Sequence, residues 1–133
     1  MDVDELTAHV EAAIAPLDGV AAVYLFGSVA AGTDTAASDI DLGVLYEIRP
    51  AAKLDAGPLD LEGDLERRLG RPVHLVVLNG APADLRIRVL RAQRLLVDRN
   101  RSARIRFEVA TRNEFFDLEP MLVEYRRPRE GRA

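Results

Sequence analysis

Gly27-Ser28 is separated by ten residues from Asp39-Ile40-Asp41, and these two short motifs hold most of the chemistry the chain offers. Glycine has no Cβ, so a bulky anion can come close to the main chain at Gly27. Ser28 adds a hydroxyl and a backbone N–H, and a short helical turn over Val29-Ala30-Ala31 would aim further N–H groups at the same anion. Asp39 and Asp41 flank Ile40, so in a strand they project from one face with Cα atoms about 6.5 to 7 Å apart, given a rise of about 3.3 Å per residue. Two carboxylates at that spacing repel each other unless a cation lies between them. The chain has no cysteine, and hard oxygen donors suit magnesium or manganese rather than zinc. Together the motifs are the minimum equipment for a nucleoside triphosphate and its metal, with Gly27 and Ser28 on the phosphates and Asp39 and Asp41 on the ion. Taken singly, neither is specific: a Gly-Ser pair is commonplace, and Asp-x-Asp at a strand end is often merely solvated.

Positioning these groups requires two strands and a turn. The apolar run Val20 to Phe26 reads as a buried first strand that Gly27 ends, and Asp39 to Leu45 reads as a second, with Ile40, Leu42 and Val44 facing the core. The loop from Gly32 to Ser38, in which Asp34 stabilises a turn, joins them as antiparallel neighbours. Before them, Asp2 or Asp4 caps a helix carrying Leu6, Val10, Ala13, Ile14 and Leu17, and Pro16 with Asp18-Gly19 ends it. Residues 46 to 57, with Pro50 and Gly57, lack periodicity and read as a loop near the site. Pro58 opens a helix with the stripe Leu61, Leu65 and Leu69, which Gly70 stops; Asp60, Glu62, Asp64 and Glu66 read as its solvated face. A third strand at Val73 to Leu78, reached through that helix, is expected to pair with the second. Pro82 starts another helix with Leu85, Val89 and Leu90, Arg94 to Val97 reads as an edge strand, and Ser102 is expected to cap a last helix. That helix has Ile105, Val109 and Phe116 on its apolar face, and Pro120 breaks or kinks it. The expected fold class is α/β, more closely α+β: one domain over residues 1–133, with a small mixed sheet flanked by helices.

Gly27-Ser28 and Ser38-Asp39-Ile40-Asp41-Leu42 resemble the hallmark of the DNA polymerase beta superfamily of nucleotidyltransferases, and the short chain looks like its minimal members, which accompany HEPN-domain proteins in toxin-antitoxin pairs. The resemblance extends to Leu90 to Asp98 and Phe107 to Pro120 and covers most of the chain, but only the Gly-Ser and Asp-x-Asp parts are specific. It implies the polymerase beta-like fold, ATP as substrate, Mg2+ or Mn2+ as cofactor, and an antitoxin that transfers AMP to a tyrosine hydroxyl of a HEPN ribonuclease toxin, with which it forms a hetero-oligomer. In that family a third carboxylate usually follows on the next strand, in minimal members as the second residue of a Val-Asp-Leu-Val run. Here the run is Val73-His74-Leu75-Val76. His74 is therefore the third candidate catalytic residue, able to take a proton or ligate an ion but adding no negative charge, so a second metal site would be weakened. Alternatively His74 packs beside the sheet. His9 is expected to be structural or exposed, and Glu47 could supply the missing charge only if the strand end curls back.

Composition narrows the alternatives. At 133 residues and 48% hydrophobic the chain suits one domain with a real core. It has no apolar run near the roughly 18 to 20 residues that cross a bilayer, so no membrane partner is expected. Met1 to Glu5 lacks the basic and apolar regions of a secretory signal, which makes cytoplasmic localisation the expectation. The absence of cysteine excludes disulfides, zinc thiolates and cysteine nucleophiles. Residues 1 to 85 carry 15 acidic and 5 basic side chains, whereas residues 86 to 133 carry 7 and 13. All the basic residues of the second part are arginine, which suits phosphate, RNA, an acidic partner or simply solvent. Few aromatics are interleaved with them, so direct nucleic-acid binding is not expected. No Ser/His/Asp set, Walker lysine or dinucleotide glycine pattern is present. Two rivals to protein AMPylation remain: an antitoxin weakened by His74 that neutralises by binding alone, through residues such as Phe115, Met121, Leu122 and Tyr125, and a small-molecule nucleotidyltransferase, for whose acceptor-binding structure the chain is short.

Overall fold

A computed structural model describes residues 1–47 and 58–130, with side chains described over 1–47 and 60–116. The first helix, α1 (Val3–Ile14), is capped by Asp2, whose carboxylate accepts the Asp4 N–H at 2.9 Å, and it buries Leu6, Val10, Ala13 and Ile14. Next come β1 (Val20–Phe26), the five-residue helix α2 (Gly27–Ala31) and β2 (Ile40–Tyr46). They are followed by α3 (Pro58–Leu69), β3 (Val73–Val77), α4 (Ala83–Arg91), β4 (Leu95–Asp98) and α5 (Arg101–Glu130). The loop with Pro50 and Gly57 lies outside the described residues.

The strands form one sheet in the order β3-β2-β1-β4. β1 pairs antiparallel with β2 and β4, and β2 pairs parallel with β3. The antiparallel pair needs only a short connection, whereas the parallel pair needs the α3 crossover, as strand geometry requires. One face carries Val23, Leu25, Ile40, Leu42 and Val44 beneath α1 and α3. The other carries Ala22, Tyr24, Phe26 and Leu45 beneath α4 and α5. With helices on both faces, β1 is buried along its whole length, so its sequence is a continuous apolar run instead of an alternating one.

Three expectations are corrected by packing. Glu62 and Glu66 are not simply solvated: they lie one turn apart on α3 and accept the Leu75 and Val73 backbone N–H groups at 2.9 and 3.0 Å. Those donors are on the free edge of β3, where unpaired N–H groups invite another strand, and the two carboxylates cover them. The cap of α5 is Asn100, whose side-chain oxygen accepts the Ala103 N–H at 3.0 Å; Ser102 lies inside the helix. Finally, Phe107, Thr111 and Phe115 face inward from α5, while Ile105, Val109 and Phe116 are 41%, 51% and 61% exposed. The buried face is selected by Tyr24, whose hydroxyl donates to Glu108 at 2.8 Å and whose ring lies 6.2 Å from that of Phe107. Burial, and then Glu108, push the Tyr24 hydroxyl well above its usual range, so it stays a donor. Phe115 is thus core, the side chains of Met121, Leu122 and Tyr125 lie outside those described, and α5 continues through Pro120 to Glu130.

Candidate active site

At the end of β1 the backbone turns at Gly27 with φ +73, a conformation that favours glycine. A second reason for glycine comes from the neighbouring strand. A Cβ at this position would overlap the Asp41 carboxylate and lie 2.9 Å from its Cγ. The glycine corner and the acidic edge therefore converge on one carboxylate. Gly27 opens α2, whose first turn has no side-chain cap, while the Ser28 carbonyl accepts the Thr33 N–H at 3.0 Å and holds the far side of the loop. Uncapped first-turn N–H groups are what an anion needs at such a turn.

Asp41 is partly buried and pairs in register with Phe26 on one side and His74 on the other. Residues directly opposite each other project from the same face, so Phe26, Asp41 and His74 form one row across three strands. The His74 imidazole is 63% exposed, and its Nδ1 lies 3.3 Å from Asp41 Oδ1. His74 thus faces the site and is not packed away from it. The other carboxylate oxygen of Asp41, Oδ2, is the atom nearest the Gly27 position. Asp39 is exposed, one residue before β2 begins, and alternation about the buried Ile40 places it on the Asp41 side. Glu47 follows the opposite end of β2, where its N–H donates to the Gly19 carbonyl, and does not join the group. His9 is half-buried on α1 and does not join the group.

No motif singles out Arg71. Its side chain, only 15% exposed, donates to the Ser38 carbonyl from Nε at 3.2 Å and from a terminal nitrogen at 2.8 Å, and to the Thr35 carbonyl at 2.9 Å. It also pairs with Asp34 at 3.4 Å. One guanidinium, fixed between α3 and β3, thereby holds the loop that delivers Asp39. Its only signal in the sequence is an arginine between a helix-ending glycine and Pro72. Charge-assisted hydrogen bonds contribute about 1.5–3 kcal/mol each. Arg71→Ala is expected to raise amide exchange over Thr33–Ser38 on the order of 10- to 100-fold while leaving β2 protected. Arg71→Lys should restore little, because a point ammonium cannot reach Ser38, Thr35 and Asp34 together. Unchanged exchange in the alanine variant would remove this role.

Among the described residues, no three His, Asp or Glu side chains gather closely enough to cage a metal ion. The donor set fits a different kind of ion: magnesium characteristically binds through one or two carboxylates and completes its shell with water and substrate phosphates. Asp41 against the Gly27 corner, with Asp39 preceding it, is such a set.

The family model for polymerase beta nucleotidyltransferases matches residues 10–102. The chain belongs to this family. A solved structure described as a candidate minimal nucleotidyltransferase is 33% identical, with a TM-score of 0.55 over 71% of this chain and 94% of that one. A toxin-antitoxin structure with AMP-PNP is 22% identical, with a TM-score of 0.64 over 96% of this nucleotidyltransferase and 94% of its own chain. A tri-AMPylated Shewanella oneidensis HEPN toxin in complex with MNT antitoxin gives 21% identity and a TM-score of 0.64, with the same two coverages. At the two lower identities the likeness is one of fold. A search of curated proteins found no match. Among the described residues, no helix of this nucleotidyltransferase is long and apolar enough to cross a membrane.

Proposed function

We propose that this nucleotidyltransferase transfers AMP from ATP to a tyrosine hydroxyl of a HEPN-type toxin and thereby silences it as an antitoxin. The observation that carries the chemical half is the meeting of Asp41 with both Gly27 and His74. Gly27 and Ser28 receive the phosphates, and Asp39 and Asp41 would hold Mg2+ or Mn2+ together with them. When bound, the metal neutralises charge and aligns the phosphates for in-line attack. The acceptor oxygen forms a bond to the α-phosphorus, the bond to the bridging oxygen breaks, and pyrophosphate leaves with its electron pair. In the tautomer that donates from Nδ1 to Asp41, the His74 Nε2 is the free acceptor for the hydroxyl proton, so Asp41 orients the imidazole as well as facing the phosphates.

Two observations support a protein acceptor. Ile105, Val109 and Phe116 form an apolar stripe on α5 that is open to solvent, and structures of similar fold include the AMPylated toxin complex. A second reading, neutralisation by binding alone, draws on the same stripe and on the lack of a third carboxylate.

The deciding assay combines α-labelled ATP, magnesium and a cognate HEPN protein. Label should pass to the toxin and fall by at least about 10²-fold in Asp39→Asn, Asp41→Asn, the scale expected when charge-stabilising groups are removed from such a site. His74→Ala should lower transfer about 10- to 100-fold, and His74→Asp should restore it in part. Association and full neutralisation without label, unchanged in the double variant, would replace the enzyme with the binding antitoxin.

A further inference from the structure

The row Phe26, Asp41, His74 has a cation above its first member. Arg88, on α4, places its guanidinium carbon 5.8 Å from the centre of the Phe26 ring, and the Phe26 backbone leads directly into Gly27-Ser28. Asp41 lies in register beside that ring on the same sheet face. Two nearby cations are committed elsewhere: Arg86 is tied to the Ala81 carbonyl, Thr111 and Glu114, and Arg71 holds the Asp39 loop. Arg91, which lies over Phe115 of α5, and Arg94 make no ion pair among the described residues and differ from Arg88 in not lying over Phe26. Arg88 is exposed and makes no ion pair with a carboxylate among the described residues. It is held by the ring face and by its own helix, which leaves its five N–H donors for a ligand.

The charge balance of the site calls for such a group. Asp39 and Asp41 oppose an incoming triphosphate, and His74 supplies no third carboxylate to anchor a second metal. A fixed guanidinium at the phosphate end meets part of that deficit and matches phosphate oxygens in a bidentate fork. We propose that Arg88 is a further substrate-binding residue, gripping the β- and γ-phosphates of the nucleoside triphosphate and holding the pyrophosphate as the bond to the α-phosphorus breaks. The assignment rests on the nucleotidyltransferase reading of the site.

Titration calorimetry of the full chain with magnesium ATP, magnesium pyrophosphate and AMP separates the two. In Arg88→Met, which keeps an apolar stem over Phe26 but no charge, affinity for ATP and pyrophosphate should fall about 10- to 100-fold, with AMP affinity unchanged and Arg88→Lys intermediate. Equal affinities in wild type and Arg88→Met would overturn the Arg88 assignment and leave the site reading standing. Parallel loss of AMP binding would also overturn it, since the residue would then act only by packing on Phe26. A wild-type chain that takes up no magnesium ATP, or an Asp41→Asn variant that takes it up normally, would sink the site reading and Arg88 with it.

Discussion

Gly27→Ala is expected to abolish nucleotidyl transfer while leaving most of the fold intact. An added methyl meets the Asp41 carboxylate, because its position lies 2.9 Å from Asp41 Cγ and 3.1 Å from Asp41 Cβ. One of the two must move, and Asp41 is the softer partner because it is a side chain and not a backbone. Its displacement disturbs the contact with His74 and the face offered to the metal together. A misplacement of about 1 Å at a reacting centre can cost on the order of 10²-fold in rate. The left-handed conformation at φ +73 adds about 1–2 kcal/mol of strain for any residue with a Cβ. Label transfer to the toxin should therefore fall by 10²-fold or more, as an order of magnitude, while the melting temperature drops by only several degrees. A Gly27→Ala enzyme that keeps half of wild-type activity would show that the corner and the carboxylate do not work as one unit.

Leu42→Ala should do the reverse, destabilising the domain with little direct effect on chemistry. Leu42 is the next residue after Asp41, yet it points through the sheet into the core beneath α1 and α3, where it is 0% exposed. Truncating a buried leucine removes transfer free energy and leaves a cavity, about 2–5 kcal/mol in total. For a domain of this size that is a fall in melting temperature on the order of 10 °C. The protein that remains folded should keep near-normal affinity for ATP, measured well below the new melting point. A melting temperature unchanged within about a degree would mean that this core layer repacks freely, contrary to the close packing expected of a central strand.

These two variants, one at the turn that follows β1 and one on β2, also show which features were legible from sequence. The β1 run, the glycine corner and the alternation around Ile40 could be read directly, because each is a local pattern with a local physical cause. Pro58 and Gly70 as helix boundaries were legible in the same way, Asp2 was one of two candidate caps, and the pairing of β3 with β2 followed from the helix between them. The stripe on α5 was not. Ile105, Val109 and Phe116 have helical spacing, but so do Phe107, Thr111 and Phe115, and period alone cannot say which stripe meets the sheet. Tyr24 decides it, and it lies more than eighty residues earlier in the chain.

The site divides along the same line. Residue types and spacing alone pointed to Gly27, Ser28, Asp39 and Asp41, since a phosphate turn and paired carboxylates are short motifs whose chemistry does not depend on the rest of the chain. Only the tertiary structure brought His74 within 3.3 Å of Asp41, set Arg71 under the acidic loop, placed Arg88 over Phe26 and turned Glu62 and Glu66 onto the β3 edge. His74 meets Asp41, and Arg71 meets Ser38, because β2 and β3 share one sheet across the α3 crossover, while Arg88 reaches Phe26 because α4 packs on β1 and the two glutamates reach the edge because α3 packs on β3. Backbone preference acts over a few residues, but register and crossover determine which distant side chains meet.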